Sequence, residues 1–507
     1  MLGALYAHPS WLNPGDTSWQ LTAATLVGLM SLPGLAVLYG GIIQRKWAVN
    51  TMLMAFTGFA TVLIAWMLWS FNMSFGSPLK LGPGFLSSFV GIPHPALGHL
   101  AEQGRANIPL VSGIGAMPKF SFPQSTLVYF QFVFAAITPL LFLGSVLGRM
   151  NFKAWIPFVL LWNTVVYSVN AFLMWGGGYW AGKGALDYSG GYVIHLAAGV
   201  SGFVAAAVIG PRLRSDREHT PPNNLLLVAV GAGLLWLGWN GFNGGDPYFA
   251  GADASAAVLN TNIATAAALL VWVLWDSVSS RRKPSFAGAV NGLICGLVAI
   301  TPAAGYVNGT GAILIGVVAS SLAWTTMNVL GNKGIFAKVD DALGVVHTHG
   351  VAGLVGGLMV GLLADPAMIV YYGSGKTASF SATGLFYGNP KQLWLQAGAA
   401  LTIIVWDGVM TFVLLKLISK VIPLRMPDEI LEIGDAAIHD EVVADDGPYV
   451  RDLREPAPLH VPAAVGADGS AHIPTTTGIG GTSQMSATEL EPPSPGPGLP
   501  PTGPAGT

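Results

Sequence analysis

Four residues, two acids and two imidazoles, recur at one spacing. Asp187 precedes His195 by eight residues, and Asp341 precedes His349 by eight. Each His opens the pattern H-x-x-A-G-x-x-G, read as His195-Leu196-Ala197-Ala198-Gly199-Val200-Ser201-Gly202 and as His349-Gly350-Val351-Ala352-Gly353-Leu354-Val355-Gly356. Both lie inside long apolar runs, where an ionisable side chain is costly and is a functional candidate by default. Two neutral imidazoles side by side can share a proton, and each offers a donor or an acceptor as its tautomer changes. That chemistry suits moving a small polar molecule or relaying a proton. A lone buried His reads more simply as a packing residue, and it is the mirrored pair that points beyond packing. Asp187 and Asp341 stand just before helix starts, where an acid caps free backbone N–H groups.

The elements that must position these groups are transmembrane helices. Of the 507 residues 52% are hydrophobic and 9% charged, against about 25% charged in soluble domains. The apolar runs reach roughly 20 residues, the length of a membrane helix, and lack the alternation of barrel strands. Eleven spans are predicted, near 18–43, 49–75, 125–147, 154–175, 187–210, 225–242, 256–275, 286–302, 311–330, 341–363 and 394–418. The expected fold is an all-α polytopic membrane protein. Its divisions are a lead over 1–17, a first repeat over 18–210, a second over 211–365, the last span with its preceding loop over 366–420, a C-terminal region over 421–446, and a tail over 447–507. The tail is acidic and rich in Pro, Gly, Ser and Thr, a composition that predicts disorder. No basic segment precedes the first apolar run, so no cleavable signal peptide is expected. Cys295 is the only cysteine, which excludes an intrachain disulfide and a cysteine-based metal cluster.

Orientation follows from Lys and Arg placement. With the N-terminus outside, the inner loops and the end of the last span hold 15 of these bases and the outer side 6, over residues 1–426. The chain is therefore expected N-out and C-in. From Pro427 onward there are 13 acids and 2 bases, which places an acidic tail in the cytoplasm. The two Asp–His copies lie five spans apart, and an odd number of spans inverts the second copy. Inverted five-helix repeats are common in transporters, with the site near the midplane between them. His195 then enters from outside and His349 from inside. Eight residues of helix carry each His roughly 12 Å from its acid, so the two can meet near the centre of a core about 30 Å thick.

Phe130, Phe134, Trp175, Tyr179, Trp180, Trp239 and Phe242 cluster near the predicted outer mouth. An interfacial aromatic belt accounts for some of them. The functional reading is a cation–π site with an apolar constriction, and Asp246 beyond Phe242 would draw cations. His347 and His349 are two apart and face different ways on a helix, so they are not expected to share a metal, and His347 reads as packing. Asp407 falls in the last span with no basic partner in the sequence.

Several motifs in order resemble those of the ammonium transporter (Amt/Mep/Rh) family over roughly residues 18–440. They are Pro33-Gly34 with Tyr39-Gly40-Gly41, Trp175-Gly176-Gly177-Gly178, and Asp187-x-x-Gly190-Gly191-x-x-x-His195. Gly238-Trp239-x-Gly241-Phe242-Asn243, Thr301-Pro302-Ala303-x-Gly305-Tyr306 and His349-Gly350-Val351-x-Gly353 follow. The resemblance implies a homotrimer in the cell membrane, with one pathway per subunit for ammonium or methylammonium, surrounded by the lipid bilayer. Phe134 and Phe242 would be a stacked phenyl gate, and Phe130 and Trp175 part of an outer recruiting site. His195 and His349 would line the pore, and Asp187 would support deprotonation or conduction. No cofactor, metal or nucleic-acid partner is implied. Bacterial members suggest a PII-type signal protein as a candidate partner at the cytoplasmic face. The chain departs from the commonest bacterial pattern at Asp246, where a serine is expected, at Gly344, where an acid is expected, and at Thr348 before His349. Its loop over 77–122 is also longer. These features resemble the branch holding fungal Mep proteins and one group of plant transporters. Rival readings are an ammonium sensor of the same fold with little transport, a carrier of another small substrate, and a membrane enzyme. The last is disfavoured because neither G-x-S-x-G, H-E-x-x-H nor a cysteine cluster is present.

Overall fold

A computed structural model describes residues 9–98, 102–108, 120–218, 221–279, 283–371 and 379–443. The tail over 447–507 lies outside the described residues, as do Lys119, Arg281, Arg282 and Lys376 of the orientation argument. Among the described residues, ten helices are long and apolar enough to cross a membrane. They are α1 (Pro14–Ile42), α2 (Arg45–Phe75), α3 (Gln124–Val146), α4 (Phe152–Lys183), α5 (Gly191–Ile209), α6 (Leu225–Gly244), α7 (Ala252–Val278), α9 (Gly309–Leu330), α10 (Val346–Leu363) and α11 (Pro390–Ile418). The eighth predicted span is a shorter apolar helix, α8 (Phe286–Ile300). All eleven predicted runs are thus helical, but one is below spanning length. A small antiparallel hairpin, β1 (Ile369–Tyr371) with β2 (Ser379–Ser381), precedes α11.

Several helices start earlier than hydropathy predicts, because caps rather than apolar residues set their ends. Asn13 Oδ1 accepts the Gly15 N–H at 2.8 Å, and Pro14 fills the first helical position, so α1 begins before Ser18. Asn151 takes the Lys153 N–H at 3.0 Å and starts α4 before Ala154. Pro390 likewise opens α11 ahead of Trp394.

Helix α3 is the inner post of the bundle. Its side chains are buried almost all round, whereas α9 and α11 leave most of their apolar surface outward, the pattern expected of central and lipid-facing helices. Helices α5 and α10 cross each other at backbone contact. A Cβ on Gly199 would fall 2.2 Å from Gly350 Cα and 2.3 Å from Gly350 N. Only hydrogen fits there, which is how small residues let membrane helices approach.

Several buried polar groups away from this crossing pair with side chains or backbone of other helices. Asn170 of α4 donates Nδ2 to both carboxyl oxygens of Asp407, at 2.9 and 3.0 Å. The partner missing from the sequence is therefore an amide rather than a base. His347 Nδ1 lies 3.1 Å from Thr326 Oγ1, and its ring packs on Phe336, in line with a packing role. Arg149, with no exposed surface, donates to the backbone carbonyls of Ser145, Leu147, Gly210 and Asp340. It gathers the ends of α3 and α5, whose C-terminal carbonyls favour a cation. Burial lowers its pKa only to about 10, so the charge is kept at neutral pH.

The segment after α11 straps the same end. Asn151 N–H donates to Leu424 O at 2.8 Å, Met426 N–H to Arg149 O at 3.0 Å, and Arg425 Nε to Pro211 O at 3.1 Å. Lys46 Nζ donates to Leu431 O at 2.9 Å and pairs with Asp216 at 2.9 Å. Asp435 then accepts the N–H groups of Val49 at 2.7 Å and Asn50 at 2.9 Å, in the first turns of α2. Burial pushes this carboxyl up to about 7, against the pull of its two amide donors.

Two outcomes are expected. Gly199→Ala forces a methyl into the α5–α10 crossing, so the purified variant should melt lower, by about 1–3 kcal/mol; an unchanged melting temperature counts against backbone contact there. Asp435, raised from the ordinary carboxylate range to about 7, takes up a proton as the strap docks. Docking is therefore favoured at low pH and weakens as pH rises through that window. Amide-exchange protection of residues 428–439, corrected for intrinsic rates, should be greater at about pH 6 than at about pH 8, and Asp435→Asn should flatten the difference.

Candidate functional site

Phe130 and Phe134 are one turn apart on α3, so they share a face, with centroids 4.9 Å apart. Phe134 meets Phe242 of α6 at 4.5 Å and 54°. Trp175, where α4 breaks at its glycines, presents its edge to Phe134 at 6.5 Å and stacks on Phe75 at 6.5 Å and 9°. Its Nε1 donates to Asp187 O at 2.7 Å, which fixes the indole to the turn before α5. The two phenyl rings thus close on each other, and Trp175 and Phe130 flank Phe134.

Beyond Phe242 come the imidazoles. His195 lies 5.8 Å from Phe242 and 5.6 Å from His349, measured between ring centroids. It also stacks on Trp239 at 5.3 Å, and that indole is held by its Nε1–H to Thr301 Oγ1 at 2.8 Å. Both His195 nitrogens are buried without a hydrogen-bond partner. Buried polar atoms are nearly always paired, so two unpaired ring nitrogens mark a place where a polar guest can bind. His349 Nδ1 sits 2.9 Å from Thr348 Oγ1.

The two histidines arrive on matching local structure. Each lies in a widened π-type turn, Gly191–Leu196 and Val346–Val351. Such turns are frequent at functional sites. Asp187 caps the first, accepting the N–H groups of Gly190 at 3.2 Å and of Tyr192 and Val193 at 3.0 Å each. Asp341 caps the second through the Val346 N–H at 2.8 Å. Burial lifts Asp187 to about 6 and its backbone donors hold it from going higher, so it is anionic at neutral pH.

Asp246 is buried just past α6. Its carboxyl contacts Ser189 Oγ, which also reaches the Phe242 carbonyl at 2.8 Å. Gln131 Nε2 donates to Tyr248 Oη at 2.9 Å, and Tyr248 packs edge-on to Phe130 at 6.1 Å.

The contacts therefore chain Phe130, Phe134, Trp175, Asp187, His195, Phe242, Asp246 and His349 into one assembly. Tyr179 and Trp180 do not join it. They pack on each other at 5.2 Å, Tyr179 meets Phe85 at 5.0 Å, and Trp180 Nε1 donates to Thr402. Trp239 stands beside the imidazole rather than at the mouth. Sequence reasoning gave no role to Ser189 or Tyr248 and named Thr301 only within a motif, and the position of Ser189 between Asp187 and Gly190 was the one available signal for it.

The model of the Ammonium Transporter Family matches residues 18–443. Ammonium transporter 3 member 2 of Oryza sativa subsp. japonica is 50% identical over 441 residues, 85% of this chain and 90% of that one. Ammonium transporter 2 of Arabidopsis thaliana is 50% identical over 437 residues, 85% and 88% of the two chains. The crystal structure of Saccharomyces cerevisiae Mep2 superposes with a TM-score of 0.70 at 26% identity, over 83% of this chain and 89% of that one. The chain belongs to the ammonium transporter family. These named relatives are transporters rather than enzymes.

Asp187→Ala removes the cap from the start of α5 and should lower thermal stability by about 1–2 kcal/mol, whereas Asp187→Asn, which keeps an acceptor oxygen, should lose less. Equal melting of all three proteins in detergent would count against the capping account.

Proposed function

We propose that this member of the ammonium transporter family passes ammonia through a pore closed by Phe134 and Phe242 and lined by His195 and His349, with ammonium losing its proton on the way. The observation that carries the reading is the buried His195–His349 pair, 5.6 Å between rings, next to the Phe pair and with no partner on either His195 nitrogen. A bare cation entering that apolar path sheds its water at high cost, whereas neutral ammonia does not. Trp175, Phe130 and Asp246 receive ammonium at the outer mouth, through ring faces and a carboxyl. Asp187 is the nearby anion that supports deprotonation. Ammonia then passes the phenyl rings and exchanges hydrogen bonds with the imidazoles, and the proton crosses separately or stays behind.

The same reading includes an inverted five-helix repeat, N-out and C-in, in the cell membrane as a homotrimer. The paired Asp caps and π turns ahead of His195 and His349 support the repeat. A PII-type signal protein is a candidate partner of the face that carries the C-terminal strap.

The test is current and internal pH in liposomes holding the full-length protein, pulsed with ammonium and then with potassium at matched ionic strength. A saturable response to ammonium alone is expected, as a current or as internal alkalinisation. Silence in both moves the reading to a sensor. His195→Ala with His349→Ala, at equal expression, should lose ammonium transport or its selectivity over potassium by about tenfold or more, the equivalent of about 1.4 kcal/mol. Normal ammonium-selective transport by that double variant would remove the pore role of the pair.

A further inference from the structure

The outer acid Asp246 meets a hydroxyl that has two oxygens to satisfy and one proton to give. Ser189 Oγ lies 2.8 Å from the Phe242 carbonyl and also contacts Asp246 Oδ2. A carbonyl carries no hydrogen, and two oxygens that close with none between them repel. The assignment that satisfies both contacts gives the Ser189 proton to Phe242 O and takes the hydrogen of the Asp246–Ser189 contact from the carboxyl. Ser189 accepts it.

The surroundings agree. Asp187 and Asp246 are both buried, and Ser189, two residues after Asp187, contacts Asp246. Asp187 has three backbone N–H donors, whereas Asp246 contacts one serine. Where two carboxyls compete, the one with amide donors keeps the charge and the other keeps the proton. The remaining groups facing this end of α6 do not reverse that. Helix α3 presents Phe130 and Gln131, and α4 presents the neutral Tyr167. Helix α1 presents Gln20 to Gly245 O and the acid Asp16 to the Ala250 N–H. Burial, and after it the charge of Asp187, push Asp246 well above the usual carboxylate range.

We propose that Asp246 holds a proton while the mouth is empty and exchanges it for the incoming ammonium ion, one for one. The O–H bond of the carboxyl breaks, the proton leaves to water at the mouth, and the carboxylate becomes the counter-ion of ammonium beside Trp175 and Phe130. The carboxyl takes a proton from water again when the site empties. Ser189 is the positioning residue, since its hydroxyl is the acceptor that holds the acid form. The proposal rests on the recruiting role given to Asp246 above.

The experiment is the initial rate of ammonium transport into liposomes carrying the full-length protein, across an external pH series at fixed internal pH. In the wild type, the half-saturating ammonium concentration should rise about tenfold per pH unit of acidification. Asp246→Asn should bind ammonium more weakly and lose that slope. Ser189→Ala, without the acceptor, should move the onset of the slope to lower pH. A second readout is difference infrared spectroscopy of the same liposomes. Added ammonium should bleach the stretch of a protonated carboxyl in wild type and leave Asp246→Asn unchanged, a comparison that the wild type begins even if a variant folds poorly. No pH slope in an actively transporting wild type, a slope retained in Asp246→Asn, Ser189→Ala identical to wild type, or no bleach each overturns the exchange while leaving ammonium transport standing. A wild type that moves no ammonium at any pH overturns the transport reading instead.

Discussion

Backbone packed on backbone holds the candidate site together. Helices α5 and α10 touch where Gly199 faces Gly350, and the two imidazoles ride on that contact. Each His lies in a π turn a few residues from the crossing, so the distance between their rings is set by glycine rather than by any bond between the side chains. The price is that α5 begins inside the protein, where its first N–H groups face no water. Asp187 answers that need, and so the acid nearest the pore is there first as a cap.

Four buried acids show how environment divides one chemistry into separate roles. Asp187 has three amide donors and stays charged. Asp246 has a serine and a charged neighbour. Asp407, inside α11, is held by the amide of Asn170 and ties α11 to α4. Asp435 closes the first turns of α2 from the far end of the chain. A carboxyl in a membrane protein is therefore not one signal. Burial works against the charge, and the donors each carboxyl finds oppose that push.

Much of this was legible in the sequence because membrane helices announce themselves by length and composition. The helical runs and the grouping of Phe134, Phe242, His195 and His349 followed from spans, repeat and motifs. The exact helix starts did not, since Asn13, Pro14, Asn151 and Pro390 end or begin helices by backbone chemistry that hydropathy ignores. The length of α8 was overestimated for a related reason: its apolar run continues into a turn, where Thr301 N–H bonds back to Val298 O. Tyr179 and Trp180 look like members of the mouth because they neighbour Trp175 in sequence, yet the glycine break in α4 sends them toward Phe85 and Thr402. Asp407 looked unpaired because its partner, Asn170, carries no charge and lies far away in the chain.

The strap after α11 bears on how the molecule is made. Residues Leu424, Arg425, Leu431 and Asp435 supply acceptors or donors to Asn151, Pro211, Lys46, Val49 and Asn50. Those partners belong to the turns that begin α2 and α4 and follow α5, among the earliest parts to leave the ribosome. The first half of the bundle thus emerges with backbone groups that a segment made only after α11 closes. A chain cut short after α11 would hold every apolar helix named here and still lack the acceptor for the opening turns of α2.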